Sequence, residues 1–202
     1  YICGYPDGTV KPECQITRAE VATIFYRLLQ DEARENVWSR TNSYSDVASG
    51  VWYNSAVSTL TNAGILTGYE DGTFRPDAPI TRAEFATIAE RFYHAPEVTS
   101  DAFSDISGSW AREYINRAAA RGLIDGYDDS TIHTNQNIKR DEAMKIINKV
   151  LFRTPDKEHF LPDMITWPDN SDTDAWYYTD VQEATNNHDY ERVNNTSPET
   201  WT

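Results

Sequence analysis

Cysteine is almost missing: the 202 residues hold two, Cys3 and Cys14. Two thiols are too few for a zinc site, and their spacing is too wide for a redox pair. Their expected use is a disulfide across a short loop, which belongs to a compartment outside the cytoplasm. The other reading is two reduced, partly buried thiols. No long apolar run occurs, which excludes a membrane-spanning helix. No signal-peptide pattern opens the chain, a fact of little weight in the segment of a longer protein that the repeats below imply. Basic residues are scarce, 18 Lys and Arg against 32 Asp and Glu, for a net charge of −14. Affinity for duplex nucleic acid comes mostly from cations neutralising phosphates, so a general nucleic-acid binder is excluded, as is attraction to anionic lipid. Catalytic signatures are missing too. There is no serine nucleophile motif, no phosphate-binding glycine loop and no plausible catalytic cysteine. The four histidines, His94, His133, His159 and His188, lack metal-ligand spacing. Neither the Asp128-Asp129 pair nor the Asp169, Asp172 and Asp174 cluster completes a calcium loop. The expectation is a protein without catalytic residues, metal or cofactor. The sequon at Asn195-Thr196-Ser197 matters only where the source glycosylates such sites.

What is present is ordinary globular material, 39% hydrophobic and 25% charged. The charge is uneven. Residues 154–202 carry 11 acids and 2 bases, and residues 1–153 carry 21 and 16. The strongest signal is self-similarity. Gly4-Tyr-Pro-Asp-Gly-Thr-Val-Lys-Pro runs on to Ile16-Thr-Arg-Ala-Glu20. Gly68-Tyr-Glu-Asp-Gly-Thr-Phe-Arg-Pro runs on to Ile80-Thr-Arg-Ala-Glu84. Gly126-Tyr-Asp-Asp-Ser-Thr-Ile-His-Thr runs on to Ile138-Lys-Arg-Asp-Glu142. The three align without gaps, at offsets of 64 and 58 residues. A front element precedes the last two: Tyr44-Ser-Asp46 with Trp52, then Phe103-Ser-Asp105 with Trp110. It returns faintly in the tail as Trp167-Pro-Asp169 with Trp176. The order is therefore back half, whole module, whole module, front half.

Each module reads as helix, loop, helix. Trp52, Ala56, Val57, Leu60 and Ala63 share one face at helical spacing, and Gly64 suits the left-handed position that stops a helix. Trp110, Tyr114, Ile115, Ala118 and Ala119 repeat that face before Gly122. The back helices carry the stripes Val21, Ile24, Phe25, Leu28; Phe85, Ile88, Ala89, Phe92; and Met144, Ile147, Leu151. One such helix pair buries too little apolar surface to stand alone, so the three are expected to pack together. The segments 30–43, 95–102 and 154–159 read as connectors or solvated helix extensions. The boundaries expected are 1–43 for the first back half with its connector, 44–102 for the second module and 103–153 for the third. The acidic tail, 154–202, is expected to complete the first module with its front half.

Thr81 and Glu84 bracket a helix start as a capping box, and Thr17 and Glu20 repeat it. Their expected work is to start helices. Arginine at the second motif position needs another reason, because the helix dipole makes a cation there slightly unfavourable. Yet it recurs as Arg18, Arg82 and Arg140. Each would stand where free helix amides favour an anion, adding a fork that grips a carboxylate. The competing reading pairs these arginines with Asp46 or Asp105. Trp52, Trp110 and Trp176 are either core residues or stacking platforms for a sugar ring. Tyr5, Tyr69 and Tyr127, at the loop entries, would line the same groove.

The motifs just quoted resemble the S-layer homology family, from Gly4 to Arg153 well and through Glu191 faintly. The resemblance implies an all-α fold of tandem helix-loop-helix modules in a pseudo-threefold assembly. It implies non-covalent anchoring of a secreted protein to the wall of a Gram-positive-type bacterium, through an anionic, often pyruvylated, secondary cell-wall polysaccharide. It also places grooves between modules, where Arg18, Arg82 or Arg140 of one module works with Trp52, Trp110 or Trp176 and Asp46 or Asp105 of another. The alternative it allows is a structural S-layer or adhesion unit that binds other S-layer proteins. The third copy departs from the pattern at Lys139, Asp141, Ser130 and Thr134. The tail has His188 where Gly64 and Gly122 stand.

Overall fold

A computed structural model describes residues 1–93, 97–194 and 197–202. His94 and most of the sequon lie outside them. The described residues form seven α-helices, one 3-10 turn and a two-stranded sheet of two-residue strands. The fold is all-α. The chain divides into two compact units, residues 15–138 and residues 1–14 with 139–202.

In the 15–138 unit, helices α1 (Arg18–Leu28) and α3 (Asn54–Asn62) pack as a pair, as do α4 (Arg82–Tyr93) and α5 (Arg112–Ala120). A short helix, α2 (Asp31–Val37), buries none of its residues and occupies part of the polar connector. Its core is aromatic: Phe25 meets Phe85 and Phe92 edge-on, with ring centroids 5.8 and 5.3 Å apart. Three motif isoleucines close a ring of backbone hydrogen bonds. Ile80 donates to Ile16 at 3.1 Å, Ile138 to Ile80 at 3.0 Å and Ile16 to Ile138 at 3.5 Å. All three side chains are buried, which suits branched apolar residues where short extended segments converge. The helices stop as the glycines predict. Gly64 has φ 72° and Gly122 φ 68°, and the residue after each donates back across the last turn.

The other unit pairs α6 (Arg140–Val150) with α7 (Tyr178–Thr185) and carries the strands β1 (Tyr190–Glu191) and β2 (Thr200–Trp201). The chain start is fastened to α7, where Ile2 donates to the Ala184 carbonyl at 3.0 Å. The expected disulfide is not formed: Cys3 and Cys14 are both exposed and unbridged. Cys3 follows the residue tied to the end of α7, and the Cys14 carbonyl accepts from Arg140 at the start of α6.

The tryptophans correct the helical-face reading. Trp52, Trp110 and Trp176 are 67%, 65% and 56% exposed. Each stands two residues before its helix begins, in a turn, so helical periodicity does not govern where its ring lies.

One departure in the third copy has a measurable consequence. Asp141 takes the place of Ala19 and Ala83 and is buried in the first turn of α6. Burial pushes its carboxyl up to about 6 from 3.8. Folded protein then holds a proton that unfolded protein releases, so stability falls as the pH rises from about 4 to about 6. Asp141→Ala should remove that fall. It should gain on the order of 2 kcal/mol at neutral pH and little at pH 3, read by denaturant unfolding at both.

Candidate functional site

The site is built on the loops that join front and back helices. Both oxygens of Asp46 accept backbone N–H groups, Phe74 at 2.8 Å and Arg75 at 2.7 Å. Asp105 does the same for Ile132 at 3.0 Å and His133 at 2.8 Å. Asp169 does so for Val10 at 3.1 Å and Lys11 at 2.7 Å. Two successive amides turned to one carboxylate form an anion nest. The second residue of each nest is in the left-handed region: Lys11 at φ 50°, Arg75 at 58° and His133 at 53°. Asp46 and Asp105, expected beside the arginines in a ligand groove, are thus occupied as loop clamps. Within each loop, the first glycine makes room for the aromatic residue of the clamp motif. A Cβ on Gly68 would stand 2.2 Å from the Tyr44 ring, and one on Gly4 as close to Trp167.

The motif arginines are buried struts. Arg18, 4% exposed, donates from Nε to the Phe74 carbonyl at 2.8 Å and from Nη2 to Thr67 at 3.1 Å. Its Nη1 donates to Glu84 Oε1 at 2.9 Å. Arg82 donates to the Ile132 and Asp125 carbonyls at 2.8 and 3.2 Å, and Arg140 to Val10 at 3.0 Å. Each guanidinium also lies over a loop tyrosine, at 4.7 Å for Arg18 and Tyr69, 4.9 Å for Arg82 and Tyr127, and 4.8 Å for Arg140 and Tyr5. The partner of Arg18 is therefore Glu84, not Asp46. The free helix-start amides anticipated for an anion are filled. Arg18 and Ala19 donate to Ala78 and Pro76, Arg82 and Ala83 to Gln136 and Thr134, and Arg140 and Asp141 to Cys14 and Pro12. Carbonyls of the adjoining loop take the place that the sequence reading left for a ligand.

The capping threonines and glutamates sit at the helix starts. Thr17 receives the Glu20 amide and gives its own N–H to Glu20 at 2.8 Å, and Thr81 with Glu84 repeats the exchange at 2.9 Å. At α6 the threonine is lost, but Lys139 N–H still reaches Glu142 at 2.9 Å. Glu84 does more than cap. Its second oxygen accepts from Arg18 and from the Tyr69 hydroxyl at 2.7 Å. Burial and that hydrogen bond hold the tyrosine above its ordinary pKa, keeping it a donor.

Around this pair the 15–138 unit opens a cavity of about 370 Å³, lined by Arg18, Tyr69, Glu84, Thr87, Arg91 and Trp110 among others. The structure therefore brings Arg18, Tyr69 and Trp110 into one groove. Trp52 stacks edge-on with Tyr53 at 5.2 Å, and Trp176 lies under Lys145 at 5.4 Å. Sequence reasoning missed Arg91, although a cation stands nine residues after each motif arginine, at Arg27, Arg91 and Lys149.

A second cluster was not visible in the sequence. Glu183, His188 and Glu199 place ligating atoms within 4.8 Å of one another in the unit that holds α6 and α7. A guanidinium already stands there: Arg153 is 2.7 Å from Glu183 and 2.9 Å from Glu199. Burial pushes Glu183 up to about 7 and His188 down to about 4, so the imidazole stays neutral at pH 7. The cluster ties the C-terminal strands to the end of α6.

Helix pairs, loops clamped by aspartate and struts of buried arginine recur along the chain and define a tandem-repeat module. The S-layer homology domain model matches residues 1–22, 43–86 and 102–144, more than half of the chain, and the chain belongs to that family. It is 36% identical over 202 residues to the Cell surface glycoprotein 1 of Acetivibrio thermocellus, covering 94% of this chain and 8% of that protein. It is 36% identical over 197 residues to the Cellulosome-anchoring protein of the same organism, covering 94% and 43%. It is 30% identical over 156 residues to the Surface-layer 125 kDa protein of Lysinibacillus sphaericus, covering 74% and 13%. The chain thus spans less than half the length of each of these relatives.

Proposed function

We propose that this chain anchors a surface protein to the wall of a Gram-positive-type bacterium by binding an anionic wall polysaccharide. The observation that carries the proposal is the groove in which Trp110, 65% exposed, faces the Arg18, Tyr69 and Glu84 cluster across a cavity of about 370 Å³. An exposed indole offers a flat apolar face to the C–H side of a sugar ring, and the polar floor offers hydrogen bonds to its hydroxyls. The chain acts by binding and not by catalysis. The printed names of its relatives, a cellulosome-anchoring protein among them, support a role at the cell surface. Arg82 with Tyr127 and Arg140 with Tyr5 repeat the stacking of Arg18 on Tyr69, and we assign these residues, like Trp52 and Trp176, to ligand binding. A pyruvate ketal would supply the acid group.

In the same reading the tail supplies the front half of the first module. The support is Asp169, which clamps the first loop through Val10 and Lys11 as Asp46 clamps the second.

The test is co-sedimentation with intact bacterial walls and with walls stripped of their secondary polysaccharide. Retention on intact walls and release from stripped ones is expected. Equal retention on both would favour the lattice reading, in which the chain binds other S-layer proteins.

A further inference from the structure

The segment just ahead of the clamp motif does the same work in the second and third modules. Asn42, two residues before Tyr44, donates from Nδ2 to the Ser58 hydroxyl at 3.0 Å. Asp101, two residues before Phe103, accepts from Asn116 Nδ2 at 3.0 Å, and the Ala102 amide donates to Asn116 Oδ1 at 2.9 Å. Ser58 and Asn116 are each the fifth residue of a front helix, and both are buried. The chain leading into the clamp therefore matches a polar group inside each module.

The tail copy keeps the polar helix residue and loses its match. Gln182 is the fifth residue of α7 and is fully buried. The counterpart of Asn42 and Asp101 is Ile165, two residues before Trp167, which has no polar side-chain atom and is 54% exposed. Asn186 holds the Ile165 backbone, accepting its N–H and donating to its carbonyl. The Asn186 amide also donates to Gln182 Oε1 at 3.1 Å, which leaves Nε2 as the free end of the Gln182 amide. That atom is buried and has no partner among the described residues. A second polar atom is left in the same way. The residue after the clamp aspartate is the buried Val47 in the second module and the buried Ile106 in the third. In the tail it is Asn170, also buried, whose Nδ2 donates to the Tyr178 carbonyl at 3.4 Å and whose Oδ1 is unpartnered among the described residues. Unpaired amide atoms in an interior destabilise a fold, and such positions call for a reason.

Both side chains line one cavity of about 430 Å³, with Trp167, Pro168, Ser171 and Tyr178 among its walls. All of these residues belong to the unit that holds α6 and α7. Trp167 is a fixed wall, because its Nε1 donates to the Thr185 hydroxyl at 2.9 Å. We propose that this cavity binds the carboxamide of an Asn or Gln side chain carried by a partner polypeptide. Gln182 Nε2 lacks an acceptor and Asn170 Oδ1 lacks a donor. A carboxamide presents both on one planar group. A carboxylate has no donor for Asn170, and a tail with 11 acids and 2 bases in residues 154–202 disfavours it further. An ammonium has no acceptor for Gln182. The choice of a polypeptide follows from the other modules, where Asn42 and the Asp101-Ala102 pair supply the matching groups from the chain itself.

The experiment titrates isotope-labelled full chain with N-acetyl-asparagine N-methylamide and, in parallel, with the aspartate analogue at neutral pH. The readouts are the Asn170 and Gln182 side-chain amides and the Trp167 indole. Saturable shifts are expected with the asparagine probe. The aspartate probe should bind more weakly by about tenfold or more, since it trades a donated hydrogen bond for repulsion from the Asn170 oxygen. Asn170→Val, which restores the residue of the second module, should melt no lower than the wild type. It should bind the asparagine probe about fivefold more weakly, the usual effect of one lost neutral hydrogen bond. No saturable shift with the asparagine probe, equal binding of the two probes, or unchanged affinity in Asn170→Val each overturns the proposal. The two probes are compared on the wild type, so that result stands whether or not the variant folds. Saturable shifts of the same resonances with wall polysaccharide would give the cavity to a glycan and overturn the polypeptide assignment.

Discussion

Arg18→Ala is expected to lower the stability of the 15–138 unit by about 3 kcal/mol, read as a reduced midpoint in urea. Three acceptors lose their donor at once. The buried Phe74 carbonyl is left without its donor, the Thr67 carbonyl loses the guanidinium, and Glu84 keeps a charge that nothing matches. Breaking a buried pair from one side leaves an uncompensated charge, and that penalty exceeds what the pair contributes when whole. Some exposure of Glu84 keeps the figure below the upper end of such effects. Arg18→Lys should recover little, because one ammonium cannot reach three acceptors spread around a planar fork. Loss of wall binding in Arg18→Ala would therefore report a collapsed floor. A stability change within 0.5 kcal/mol, the ordinary range of a surface substitution, would contradict the strut assignment.

Asp169→Ala should loosen the other unit by about 2–3 kcal/mol. The carboxylate holds the Val10 and Lys11 amides, and Lys11 keeps a left-handed backbone that costs a non-glycine residue roughly 1–2 kcal/mol. Without the clamp the first loop has little reason to keep that conformation. Hydrogen exchange should show protection of those two amides falling sharply while α4 and α5 are unchanged. Asp46→Ala should produce the same loss at Phe74 and Arg75, since the geometry is repeated. Undiminished protection of Val10 in Asp169→Ala would break the link between the tail and the first loop.

The helices were legible because their signals are local. Apolar spacing, the Thr81–Glu84 box and Gly64 each act within a few residues, so sequence distance and spatial distance agree. The aspartate clamp was not legible, because Asp46 meets its amides 28 and 29 residues away and nothing local marks them. The arginines drew attention as anion contacts because the helix starts were assumed open, and loop carbonyls close them. The tryptophans were read with a helical period although they precede the helices. Arg91 was overlooked because a cation in a last helical turn has an ordinary local reason. Its place on the cavity wall appears only when α4, the second loop and Trp110 are seen together.

The most direct test of the account is a titration of isotope-labelled chain with purified wall polysaccharide, followed by amide and indole resonances. The account predicts saturable shifts centred on the Trp110 indole and the amides of Gly68, Tyr69 and Thr87, with the Trp201 indole unmoved. Shifts confined to residues 154–202, or none at saturating polymer, would contradict it.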